Sequence, residues 1–206
     1  MAKIIKSFSP NWTESEVKFL KSLKTPEKIQ KFLDNLQYSK NDYTQSARNA
    51  IKTKTAHCFD GAIVAAAALE QNGYPPLIID LRAVEDDDHI LAIFKAHNCF
   101  GALAKSNYSG LRYREPVYRT LRELVMSYFE NYFNLSGKRT LREFSVLYDL
   151  RKEKKINWRT SPDPIDELGE LIDATKHYRV ISKAAEKNLI KLDKRSLLAG
   201  KIGRRV

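Results

Sequence analysis

Ala56-His57-Cys58-Phe59-Asp60-Gly61-Ala62 runs directly into Ile63-Val64-Ala65-Ala66-Ala67-Ala68-Leu69. Small side chains and strong helix formers predict a buried helix that begins at Cys58. The first turn of a helix leaves backbone N–H groups unpaired at the positive end of the macrodipole, which favours a thiolate there. Asn72-Gly73 is a good stop for this helix, and Pro75-Pro76 prevents its continuation. Leu77 to Arg82 then reads as a largely buried strand, Glu85 to Asp88 as an acidic turn, and His89 to Phe94 as the next strand. A third strand, Phe100 to Ser106, follows a short turn at His97-Asn98, and strands this close in sequence should be antiparallel neighbours. A helix-start thiol is thus followed by a strand-borne imidazole, the order a thiolate–imidazolium nucleophile needs.

Helical signals flank this centre. Thr13-Glu14-Ser15-Glu16 has capping-box form, with Val17, Leu20 and Leu23 following at helical spacing. Thr25-Pro26-Glu27 opens a second helix whose apolar face carries Ile29, Phe32, Leu33 and Leu36. Asn41 to Tyr43 reads as a turn and Ser46 to Ile51 as a short third helix. Beyond the strands, a helix after Pro116 carries Leu121, Leu124, Val125, Tyr128, Phe129 and Tyr132, which read as core positions. Thr140 to Leu147 suits strand and helix alike, Ile165 to Thr175 should be helical, and Val180 to Ile190 should form a last basic helix. In the segment from Leu111 to Arg119, the arginines could hold an anionic substrate group or pair with Glu115 and Glu123.

Runs of helix around a run of strands make the chain α+β. The expected layout is a core domain over residues 1–150, with a helical N-terminal layer and a central Cys58-bearing helix on a small antiparallel sheet. Residues 151–206 would be a basic helical C-terminal appendage.

A chain of 206 residues, 43% of them hydrophobic, can bury a sizeable core. No signal peptide or spanning apolar run is evident, so the expected setting is cytoplasmic, with no membrane contact. Cys58 and Cys99 make no disulfide framework. With four histidines and two cysteines a structural zinc is not expected, and Asp86-Asp87-Asp88 lacks the spacing of a calcium loop. Neither a metal nor a cofactor is therefore expected. The formal charge of +11 reads first as a solvated surface with a basic tail, where an acidic partner could bind. No zinc-finger, RNA-recognition or P-loop signature supports nucleic acid.

The ordered set of capped helices, helix-start Cys58, the Gly73-Tyr74-Pro75-Pro76 turn, a strand, and Asp88-His89 opening another resembles the core of transglutaminase-like proteins, within the papain-like cysteine enzymes. The resemblance covers Pro26 to Asn107, and Ala56-His57-Cys58 is similar to the start of that helix in uncharacterised bacterial members. It implies Cys58 as nucleophile and His89 as general base. In that family a third polar residue, usually aspartate, ends the strand after the histidine and orients its ring. Here Gly101 to Asn107 contains no carboxylate; Asn107 could take the role, and Ser106 is its rival.

The activity so implied is cysteine-dependent acyl transfer on a peptide or amide substrate, with hydrolysis preferred because water is the default acceptor. A protein that keeps the fold as a binding or scaffold module, without the chemistry, is the alternative. The missing carboxylate and the basic tail favour it.

Overall fold

The structure, a computed structural model, describes residues 12–202 and 204. Its architecture follows from the two central strands. β3 (Leu77–Ala83) and β4 (His89–Ala96) alternate with period two: Ile78, Ile90, Ala92 and Phe94 enter one hydrophobic core, whereas Ile79, Leu81, Leu91 and Ile93 enter another. Both faces of the sheet are covered, so these strands read as continuous apolar runs rather than as alternating ones.

Helices supply the cover on both sides. On one face lie α1 (Glu14–Ser22), α2 (Pro26–Asn35), α3 (Ala47–Thr53) and α4 (Cys58–Gln71). The side chains of Thr13, Thr25 and Ser46 cap the first three, the first two as the capping-box and threonine signals predict. Twelve of the fourteen residues of α4 are buried, which explains its alanines: small side chains let a helix sit deep between its neighbours. It stops at Asn72, and Gly73 turns the chain with φ +87°, open to glycine at little cost. On the other face α5 (Leu121–Phe129) brings Leu124, Val125 and Tyr128 into the second core.

β5 (Cys99–Leu103) follows β4 through a two-residue turn in which His97 and Asn98 both have positive φ, the geometry whose twist matches an antiparallel hairpin. β6 (Arg114–Tyr118), β7 (Leu141–Ser145), β8 (Tyr148–Asp149) and β9 (His177–Arg179) complete the sheet in the order β6-β5-β4-β3-β7-β9, with β8 also on β3. Every pairing within it is antiparallel. A separate parallel pair, β1 (Gln37–Tyr38) with β2 (Thr55–Ala56), leads into Cys58.

Thr140 to Leu147 resolves as strand. The Leu111–Arg119 segment also holds an edge strand, β6, which its mix of arginine and tyrosine conceals. Of the helix expected over Val180 to Ile190, one short turn forms, α7 (Lys183–Lys187), and a separate helix not anticipated there, α8 (Lys194–Lys201), capped by Asp193, follows it.

The stretch after residue 150, expected as an appendage, is built into the same body. Trp158 is fully buried and donates its indole N–H to the Leu150 carbonyl at 3.0 Å. Ile165 and, from α6 (Asp166–Asp173), Leu168 and Ile172 join the core around α4, and β9 extends the sheet. Burying a tryptophan and four branched aliphatics (Val180 included) is what ties this segment down, despite its basic composition. Among the described residues no helix is long and apolar enough to cross a membrane.

Candidate active site

Cys58 stands at the first position of α4 because His57 caps it. The His57 Nδ1 accepts the Phe59 N–H at 3.1 Å, and its Nε2 lies 3.1 Å from the Tyr43 carbonyl, so the ring carries its proton on Nε2. Asp60 closes the box by accepting the His57 N–H at 3.1 Å. Fully buried, it also takes the Gln45 N–H at 2.7 Å and so pins the preceding loop to the helix. His57 is therefore a capping residue, as its place beside the cysteine suggests.

Cys58 and His89 line one cleft of about 590 Å³, together with Tyr38, Tyr132 and the acidic turn Glu85–Asp88. Cys58 keeps part of its surface exposed, and its sulfur lies 3.8 Å from the Asp88 carbonyl, immediately before His89. The register of β4 thus brings the His89 backbone to the helix start; no hydrogen bond joins the Cys58 sulfur to the ring, which packs edge-on against Tyr132 with centroids 6.4 Å apart. His89 is buried, 5% exposed, and its Nε2 lies 2.9 Å from the carbonyl oxygen of Leu111. A carbonyl only accepts, so the neutral ring holds its proton on Nε2 and presents Nδ1 as a lone pair.

Leu111 belongs to a short 3₁₀ turn, Ser109–Leu111. Its carbonyl, and not the side chain of Asn107 or Ser106, takes the hydrogen bond from the His89 ring. Both of those residues line the cleft, but the hydrogen bond from His89 goes to the backbone. The Ser106 hydroxyl oxygen accepts the Tyr108 N–H at 3.0 Å. Just beyond the end of β5, Lys105 turns inward and donates to the carbonyls of Leu33, at 2.9 Å, and Leu36. That ammonium sits at the C-terminal end of α2, where the helix dipole favours a cation. No residue type marks Leu111 in the sequence, since the group that acts is a main-chain oxygen.

The charge state differs from the expectation drawn from the helix start. Burial pushes the Cys58 thiol up to about 11, aided by Asp60 and Asp87, and outweighs the N–H groups of Ile90 and Phe59 that favour the thiolate. Burial likewise pushes His89 down to about 4, against the Leu111 carbonyl and with Arg114 adding to the shift. The helix terminus is in place, yet desolvation is the larger effect, and at neutral pH the pair stands as thiol and neutral imidazole.

Cys58 also lines a smaller cavity of about 300 Å³ that reaches Asp80, Asp88 and Asp173. Carboxylate oxygens of these three lie within 4.8 Å of one another. Asp80 is buried, faces His177 Nε2 at 3.1 Å, and is pushed up to about 6, chiefly by burial. His177 has a second acceptor, the Thr175 carbonyl at 2.7 Å from Nδ1. Arg82 bonds Asp173 at 2.6 Å and approaches Asp80 at 3.9 Å, so two of these acids already face a guanidinium.

No family model and no curated protein matches the chain. Among solved structures, LapG of Legionella pneumophila is similar at 19% identity over 54% of this chain and 82% of that one, with a TM-score of 0.35. An EGTA-treated form of LapG matches at 22% identity over 43% of this chain, with the same TM-score of 0.35, and this match spans 57% of that protein's length.

Proposed function

We propose that the protein is a cysteine-dependent acyl-transfer enzyme that hydrolyses an amide or peptide bond, with Cys58 as nucleophile and His89 as general base. One observation carries this reading. A helix-start thiol and a histidine whose Nε2 proton is held by the Leu111 carbonyl line the same cleft, and the ring's other nitrogen remains free to accept a proton. The Cys58 proton passes to His89 Nδ1 as the sulfur attacks the substrate carbonyl. The oxyanion takes the Cys58 N–H, one of the unpaired donors of the first turn. Collapse of the tetrahedral species returns the proton to the leaving amine and leaves a thioester. Water, deprotonated by His89, then releases the acid and restores the thiol.

The resting pair is neutral, so proton transfer accompanies attack and is not complete before it. The backbone acceptor orients the ring but adds no charge to stabilise an imidazolium, which predicts a slower enzyme than one with a carboxylate there. Cys58→Ala should abolish turnover of a peptide or amide library and leave the circular dichroism spectrum unchanged. A Cys58→Ala protein with wild-type turnover would refute the reading.

The raised thiol and the absence of a carboxylate on His89 favour a second reading, a binding module that keeps the fold without the chemistry. A peptidyl electrophile separates the two. An adduct on Cys58 that needs His89 supports the enzyme, and an inert thiol in a protein that binds its partner supports the module.

A further inference from the structure

The chain carries +11 overall, yet one wall of the Cys58 cleft is the acidic turn Glu85-Asp86-Asp87-Asp88. Part of that charge is spoken for. Lys138 pairs with Glu85 at 2.7 Å, the Asp86 carboxylate accepts the Thr140 hydroxyl at 2.7 Å, and Asp88 accepts the Ala83 N–H at 2.8 Å. Only the first of these partners is a cation. Among the described residues no side chain is paired with the Asp87 carboxylate. The wall therefore keeps a net negative charge in a partly enclosed space, where fields are less screened than at open surface.

The same cleft already holds a cation from a distant part of the sequence. Arg204 lines it with Cys58 and His89, half-buried, its guanidinium 5.3 Å above the Tyr108 ring. Among the described residues it makes no ion pair, and its Nε is buried without a partner. Tyr108, Arg204, Asp86 and Asp87 all line this cleft, and the Tyr108 phenol feels the charge of the other three. The segment that delivers Arg204 is tied to the body. The Ile190 carbonyl accepts from Arg139 at 2.9 Å, Leu192 N–H donates to Gly137 at 2.9 Å, and α8 sits so close to Phe133 that a Cβ on Gly200 would meet its ring at 2.3 Å.

We infer that the cleft is a binding site for a cationic, arginine-type side chain of a peptide, with Tyr108 as stacking surface and Asp87 as counter-charge, and that Arg204 of the chain itself fills it at rest. The ligand class follows from the occupant and its setting: a planar guanidinium stacks on the aromatic face and carries the charge that the carboxylate wall attracts. For the chemistry proposed above, and resting on that reading, the substrate is a peptide or amide with a basic residue near the bond attacked, and the chain's own segment competes with it. The binding itself does not depend on Cys58 being reactive.

The test uses the full-length chain and Nα-acetyl-arginine amide as probe, followed by calorimetry or saturation-transfer NMR, with Nα-acetyl-norleucine amide as the neutral control. Replacing the occupant (Arg204→Ala) should tighten probe binding by about fivefold or more over wild type, as expected when a site mostly filled from within is vacated. Adding Asp87→Asn to that variant should weaken the probe again by about fivefold, the scale of one partly exposed charge pair. The norleucine probe should bind neither protein measurably at the same concentration. Equal affinity of wild type and Arg204→Ala, indifference to Asp87→Asn, or equal binding of the neutral probe would each overturn the inference. Turnover is not read, so an inert Cys58 leaves the result intact and counts only against the catalytic proposal.

Discussion

Acidification should destabilise this protein through a single imidazole. His89 is buried and its proton affinity drops from 6.5 to about 4 on folding. Between those values the unfolded chain takes up a proton that the folded chain refuses, so stability falls as pH drops from 6.5 and levels off below about 4. At 1.36 kcal/mol per unit the loss is on the order of 3 kcal/mol. Asp80, pushed up to about 6, and Asp86 and Asp88, raised by burial, act with the opposite sign: the folded state binds their protons first and gains stability on acidification. The bare pH profile mixes the two contributions, and a comparison separates them. His89→Gln keeps an N–H donor for the Leu111 carbonyl and cannot charge. Urea unfolding of both proteins at pH 7 and pH 4.5 should show the wild type losing about 2–3 kcal/mol more than the variant, a midpoint difference of about 1 M at an m-value near 2 kcal/mol/M. The carboxylates are common to both and cancel. Coincident pH slopes would show that His89 titrates normally in the folded protein, and the neutral pair described for the site would be wrong. For the proposed enzyme the same shift puts the acid limb of kcat/KM near pH 4 and not near 6.5.

Two further outcomes test the packing around the site. Gly61 lies on α4 where a Cβ would come within 2.3 Å of the Lys105 Cβ, so Gly61→Ala should cost about 1–2 kcal/mol in urea unfolding, overpacking outweighing the gain in helix propensity; a more stable variant would show that α4 and the segment after β5 do not approach so closely. Trp158→Ala should cost about 3–5 kcal/mol, because a fully buried indole and its bond to Leu150 are lost together. A loss under about 1 kcal/mol would restore the view that the chain beyond residue 150 is an appendage.

What the sequence disclosed and what it hid divide along physical lines. Caps are local chemistry: Thr13, Thr25 and Ser46 each accept a nearby N–H, and the helices start where those side chains say. The order of Cys58 helix, strand and His89 strand is legible for the same reason, since apolar runs of that length between turn residues have few alternatives. β6 and β9 are hidden because edge strands bury little. Tyr178 is 45% exposed and Val117 64%, so neither segment carries an apolar period. The Asp80–His177 contact joins residues 97 apart, and no local pattern encodes it. The ring partner of His89 is hidden more completely, because a main-chain carbonyl leaves no trace in residue type.

The charge state of Cys58 shows why spacing along a chain can locate chemistry without setting its strength. A helix terminus is worth about 0.3–1 kcal/mol to a nearby charge, up to about 2 in a favourable partly buried geometry. Removing a thiolate from water costs more here: the thiol moves from 9.0 to about 11 even with the Phe59 and Ile90 N–H groups opposing the shift, a net penalty on the order of 3 kcal/mol. The favourable contribution can be read from the position of one residue at a helix start. The unfavourable one is assembled from everything packed around it, including the Asp60 and Asp87 carboxylates, and it appears only once the chain has folded. A reading from the helix start alone therefore gets the sign of the local effect right and the sign of the sum wrong.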